Sequence, residues 1–132
     1  LIMAGGCNFP DVPASDGGKK KFYKGIYAAD ITADSVLNWR MVGELPFASA
    51  YGVATVYNDR LICAGGTDGT RSLTDVFSVR LKEDAWNTVI RSSRLARAGA
   101  VLVSGGNDSF YNINGELKPG IRTPEITRIW LK

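Results

Sequence analysis

Histidine is missing altogether. That excludes His-ligated zinc, a Ser-His-Asp triad and a Cys-His pair within this chain. Cysteine is scarce: only Cys7 and Cys63 are present. They stand at nearby points of two related apolar segments, so buried free thiols are expected rather than a disulfide framework. No apolar run is long enough to span a bilayer, so no membrane insertion is expected. No basic stripe interleaved with aromatics appears either. The dense run Lys19-Lys20-Lys21 lies in a glycine-rich loop and reads as solvated, so no nucleic-acid partner is expected. The net charge of +3 is mild, though it would help to attract an anionic small ligand. The chain opens on Leu1-Ile-Met-Ala-Gly-Gly6, which reads as the middle of a strand. The expectation is that a true start is missing, so the compartment cannot be read from the lack of a leader.

What is abundant is glycine, with 15 residues placed between apolar runs. Hydrophobic residues make up 45% and charged residues 22%, a globular composition. Short strands joined by tight turns suit this pattern. The strongest signal is internal repetition. Leu1-Ile-Met-Ala-Gly-Gly6 recurs as Leu61-Ile-Cys-Ala-Gly-Gly66. An aromatic strand follows each copy, Gly25-Ile-Tyr-Ala-Ala29 and Asp75-Val-Phe-Ser-Val79, and then Trp39 or Trp86. A glycine pair ends a strand where the backbone passes closely or takes a positive φ. The aromatic residues are expected to fill the wedge between adjacent sheets.

This order resembles the kelch repeat. The fold expected is all-β, a kelch-type propeller segment with about three blades visible, dividing near 1–46, 47–93 and 94–132. Strands are predicted near 1–6, 24–30 and 37–42, then 50–57, 60–65, 75–81 and 86–90, then 98–103, 109–115 and 125–131. Asn58-Asp59 reads as a hairpin turn, and 104–108 as the first turn of the third blade. There Gly115-Glu116 is read in the place of the glycine pair. The propeller is expected to be incomplete, as a fragment, a shortened form, or one of several copies that assemble. Self-association would cover open strand edges.

In such a blade, the loops after the second strand share a face with the segments before the first. Two loops on that face stand out. Gly115-Glu-Leu-Lys-Pro-Gly-Ile-Arg-Thr-Pro124 carries Glu116, Lys118 and Arg122 on a turn stiffened by Pro119-Gly120. A glutamate can act as a general acid-base and an arginine can clamp a carboxylate. Spacing alone equally allows a Glu116–Arg122 ion pair that merely closes the loop. The loop from Gly5 to Tyr23 is longer than its counterpart from Thr67 to Ser72. Asn8 there could bond a sugar hydroxyl and Phe9 could stack on a sugar face, or the loop could serve as a lid or packing element.

The stretches GGCNFPDVPASDGGKKKFY and NGELKPGIRTPE are similar to signature loops of the sialic acid mutarotase, or N-acetylneuraminate epimerase, family, in its cyclically permuted mutarotase branch. The resemblance implies a six-bladed kelch propeller, of which this chain would be a part, usually secreted to the bacterial periplasm. It implies an isomerase that interconverts the anomers of N-acetylneuraminate without metal or organic cofactor. It assigns the catalytic roles to Glu116 and Arg122, with Arg122 also binding substrate. Lys118, Asn8 and Arg97 are further candidate substrate-binding residues on position and chemistry alone. The partner implied is an anionic sugar. Two alternatives stand beside this: a non-catalytic kelch module that binds a protein or glycan, and an inactive shortened relative. A copper oxidase on the same fold needs imidazole ligands that this chain lacks.

Overall fold

The computed structural model describes residues 1–31, 36–80 and 87–131. The chain falls into two compact units, Leu1–Ala50 and Tyr51–Lys132. Among the described residues, regular structure consists of strands and two single 3-10 turns, Ala14–Asp16 and Ser93–Leu95. No helix among them is long and apolar enough to cross a membrane.

The first unit holds β1 (Ile2–Ala4), β2 (Cys7–Asn8), β3 (Lys21–Phe22), β4 (Gly25–Ala28) and β5 (Arg40–Glu44). β1, β4 and β5 form one antiparallel sheet, while β2 and β3 form a small separate hairpin. Ile26 is buried, but the cross-strand row Met3, Tyr27 and Met41 is exposed, as is Trp39. The expectation that Tyr27 and Trp39 fill a wedge between sheets is therefore not met. Trp86 lies outside the described residues, as does the start of the strand expected at 86.

The second unit begins with β6 (Val53–Tyr57), β7 (Arg60–Ala64), β8 (Asp75–Arg80) and β9 (Asn87–Arg91), a four-stranded antiparallel meander. It continues with β10 (Val101–Gly106), β11 (Ser109–Ile113), the hairpin β12 (Glu116–Lys118) and β13 (Ile121–Arg122), and β14 (Ile126–Trp130). β10, β11 and β14 form a three-stranded sheet. Alternation sends Ile62, Ala64 and Val76 of the first sheet, and Leu102, Phe110 and Ile129 of the second, into one core with Leu95. Tyr57 meets Phe110 edge to face with centroids 5.3 Å apart, inside that core. Burying each large apolar side chain here stabilises the unit by roughly 1.5–3 kcal/mol.

The turns follow local chemistry. Asn58 and Asp59 take φ of 48° and 57°, which suits a two-residue hairpin turn of the type that matches strand twist. Asn107 and Asp108 do the same at 49° and 54°. The expected turn over 104–108 is thus only its last two residues, because a bulge between Ser104 and Gly106 lets β10 run on.

Three positive-φ pairs mark one repeated corner: Gly5-Gly6 (69°, 113°), Gly65-Gly66 (65°, 88°) and Asn114-Gly115 (58°, 108°). The hydrogen bonds repeat as well. Tyr23 N–H donates to the Gly6 carbonyl, Leu73 N–H to Gly66, and Thr123 N–H to Gly115, each at 2.9 Å. The third corner is therefore Asn114-Gly115, one residue earlier than the Gly115-Glu116 register read from sequence. Asparagine tolerates the left-handed region better than other side chains. At the second corner the left-handed turn also admits no side chain, since a Cβ on Gly65 would lie 2.5 Å from the Arg97 carbonyl oxygen.

Candidate functional site

Each corner launches a short hairpin. The residue after the corner pairs with one on the return: Cys7 with Phe22, Thr67 with Ser72, and Glu116 with Arg122. The three hairpins leave their corners alike and differ in length and chemistry. The second is closed upon itself. The Asp68 carboxylate accepts from the Thr70 hydroxyl and from the Thr70 and Arg71 amides. Those bonds, the Thr70 hydroxyl first, hold its carboxyl well below the usual carboxylate range. The first hairpin carries Asn8, whose Oδ1 accepts from the Tyr23 hydroxyl at 2.9 Å. Lys20 lies over the Phe9 ring and Lys21 over the Tyr23 ring, each at 5.4 Å.

The third hairpin brings Glu116 and Arg122 directly opposite each other, with a bulge between Glu116 and Lys118. Directly opposed residues project on one face of a hairpin. Glu116 is held at both ends. Its backbone exchanges two hydrogen bonds with Ala98, at 2.8 and 2.9 Å. Its Oε1 accepts from the Gly120 amide at 2.5 Å, a contact opened by the left-handed Gly120 at φ 79°. Among the described residues no ion pair joins Glu116 to Arg122. The alternative of a salt bridge that merely closes this loop is thus absent from the structure.

Arg122 is exposed and lines a cleft of about 420 Å³ with Val101, Ile113, Asn114, Gly115, Thr123, Pro124 and Gly99. The cleft walls are polar at the hairpin base and apolar along the outer face of the β10–β11–β14 sheet. Glu116 is half-buried and is not among its lining residues. Lys118 is exposed beyond the bulge, opposite Ile121. Such a hairpin can present one carboxylate, fixed by backbone, beside a guanidinium able to grip an anion in bidentate fashion.

Arg97 is placed differently from the expectation of a substrate contact. Its side chain has no exposed surface. The guanidinium donates to the carbonyls of Asn114 (3.3 Å) and Glu125 (2.9 Å) and to the Thr127 hydroxyl (2.8 Å). It also pairs with the Glu125 carboxylate at 2.9 Å, and only its Nε lacks a partner. Asn8 belongs to the first unit and the other candidates to the second. Among the described residues no group of three His, Cys, Asp or Glu side chains is placed to hold a metal. Sequence reasoning missed the Ala98 and Gly120 backbone groups that fix Glu116. The Asn114-Gly115 dipeptide, a strong signal for positive φ, was the available clue to the correct register.

Comparison with known proteins bears on this geometry. A family profile described as the kelch motif matches residues 48–89. The chain is 38% identical over 87 residues to the N-acetylneuraminate epimerase of Pasteurella multocida (strain Pm70), covering 57% of this chain and 22% of that protein. It is 37% identical to the N-acetylneuraminate epimerase of Haemophilus influenzae (strain PittEE), covering 59% and 22%. It is 34% identical to that of Escherichia coli O1:K1 / APEC, covering 64% and 24%. The chain thus spans less than a quarter of the length of these relatives over the matched region. Among solved structures, one titled "Structure of YjhT" superposes with a TM-score of 0.78 at 19% identity, covering 99% of this chain and 45% of the other. That likeness establishes the fold as a kelch-type β-propeller segment.

Proposed function

We propose that this chain, a kelch-type propeller segment similar over part of its length to N-acetylneuraminate epimerases, binds N-acetylneuraminate and interconverts its α and β anomers. The observation that carries this reading is the cross-strand pairing of Glu116 with Arg122 without an ion pair between them. A carboxylate held by the Gly120 amide and a guanidinium left free for an outside anion suit an acidic sugar.

The chemistry follows from those two groups. Glu116 removes the proton from the anomeric hydroxyl. The bond from the anomeric carbon to the ring oxygen breaks, and that oxygen takes up the proton that Glu116 now carries, giving the open keto form. Rotation exposes the other carbonyl face, and the reverse steps close the ring as the opposite anomer. Protons and electrons balance with no oxidant or metal. Arg122 pairs with the sugar carboxylate and fixes the anomeric carbon relative to Glu116. Lys118 adds positive charge at the hairpin tip. The reading includes a division into blades near 1–46, 47–93 and 94–132, and a periplasmic or secreted location, which fractionation of the native host would test.

The kinetic test follows freshly dissolved α-anomer by NMR. The wild-type chain should speed equilibration in proportion to its concentration. Glu116→Gln should lose about 100-fold or more of that acceleration, the usual scale for removing an acid-base group. Arg122→Ala should chiefly raise KM, by about tenfold or more, as expected for a lost charge-assisted contact. A Glu116→Gln protein as fast as wild type would remove the carboxylate from the mechanism. Arg122→Ala with intact sugar binding would favour the non-catalytic kelch module instead.

A further inference from the structure

We propose that Arg97 is the positioning residue of this site, a buried clamp that holds the base of the Glu116–Arg122 hairpin closed; its value to catalysis rests on the function proposed above, its mechanical role does not. The excursion 115–124 leaves the β10–β11–β14 sheet at Asn114 and returns at Glu125, where the Asn114 amide donates to the Glu125 carbonyl at 3.0 Å. The Arg97 guanidinium reaches both of those residues. It donates to the Asn114 carbonyl on the outgoing strand, to the Glu125 carbonyl on the return, and to Thr127 one step further along β14. The Glu125 carboxylate balances its charge.

The backbone of the same segment acts in concert. Arg97 O accepts from the Gly66 amide at 2.8 Å, and the next residue, Ala98, exchanges both bonds with Glu116. A Cβ on Gly115 would lie 3.0 Å from the Arg97 Cβ, so the corner is packed directly on this side chain. Arg97 therefore ties the second corner to the third, and its neighbour Ala98 ties the strand that carries Glu116. Only a planar guanidinium offers enough donors in fixed directions for this task. A lysine would leave buried carbonyls unpaired, which is costly.

The test uses the ¹⁵N-labelled full chain. In wild type the Gly120 amide resonance should follow pH through its bond to the Glu116 carboxylate, and Glu116→Gln should remove that dependence. In Arg97→Lys the dependence should shrink to about half or less, and exchange at the Ala98 and Glu116 amides should rise about tenfold or more, as for a local opening. Exchange across β7 should stay within about twofold of wild type. If Arg97→Lys does not fold, Thr127→Val removes a single arm and should shift the same amides in the same direction by about threefold. An unchanged Gly120 response with unchanged exchange at Ala98 and Glu116 would overturn the proposal. So would a uniform rise that includes β7, which would mark Arg97 as a general stabiliser. Where the wild type turns over N-acetylneuraminate, Arg97→Lys should lower kcat about tenfold with KM held within about threefold, the signature of lost positioning. A wild type without that activity sinks the proposed function and leaves the Gly120 and exchange readouts standing.

Discussion

Glu116 owes its position to backbone rather than to other side chains. Ala98 holds its main chain and Gly120 holds one carboxylate oxygen. Arg122 stands opposite without being neutralised by it. This division of labour explains how an acid and a base can face each other and still be available to a third partner. Cys63 shows the opposite condition. Burial pushes its thiol up to about 12, because the thiolate loses hydration there. An unfolded cysteine titrates near 8.5. The folded chain therefore binds the thiol proton more tightly, so this contribution to stability is full below about pH 8.5 and is lost as pH rises toward about 12. Urea midpoints measured from pH 8 to 11 should fall in wild type, and Cys63→Ala should flatten that slope. An identical slope in both proteins would contradict the assignment.

The repeating element is a corner followed by a hairpin, and its backbone logic is separable from its chemistry. At the third corner Asn114 sits at φ 58°. Asn114→Gly should be tolerated, whereas Asn114→Ala should cost about 1 kcal/mol, the penalty of a left-handed conformation for an ordinary side chain. Urea unfolding would measure the difference, and equal stability of the two variants would contradict it. Much of this element was legible in advance. The Leu1–Gly6 and Leu61–Gly66 copies became β1 and β7 with their positive-φ glycines, and Asn58-Asp59 became the turn expected of it. The third copy looks shifted by one residue in the sequence because asparagine stands where the other two have glycine. The hairpins β2–β3 and β12–β13 look like loops in the sequence, since two or three residues per strand carry no alternation to detect. The burial of Arg97 was illegible for a related reason. The stretch Ala96 to Ala100 lies outside regular strands and turns, and the contacts of Arg97 come from residues 114 to 127, fixed only by the folded chain. Glu116 and Arg122 were legible as candidates through motif resemblance, and their opposed register emerged only with the bulge between Glu116 and Lys118.

For the whole molecule, the second unit is self-consistent: one apolar core joins its two sheets, and the same unit carries the Glu116–Arg122 hairpin and its Arg97 clamp. The chain spans less than a quarter of the relatives that it matches by sequence, so the central question is whether this hairpin recognises an acidic sugar in the chain as it stands. Titration of the ¹⁵N-labelled chain with N-acetylneuraminate, against acetate as a control, answers it directly. The account predicts saturable amide shifts centred on Gly115 to Thr123 that vanish in Arg122→Ala. Shifts scattered over other surfaces, or none beyond those that acetate produces, would contradict it.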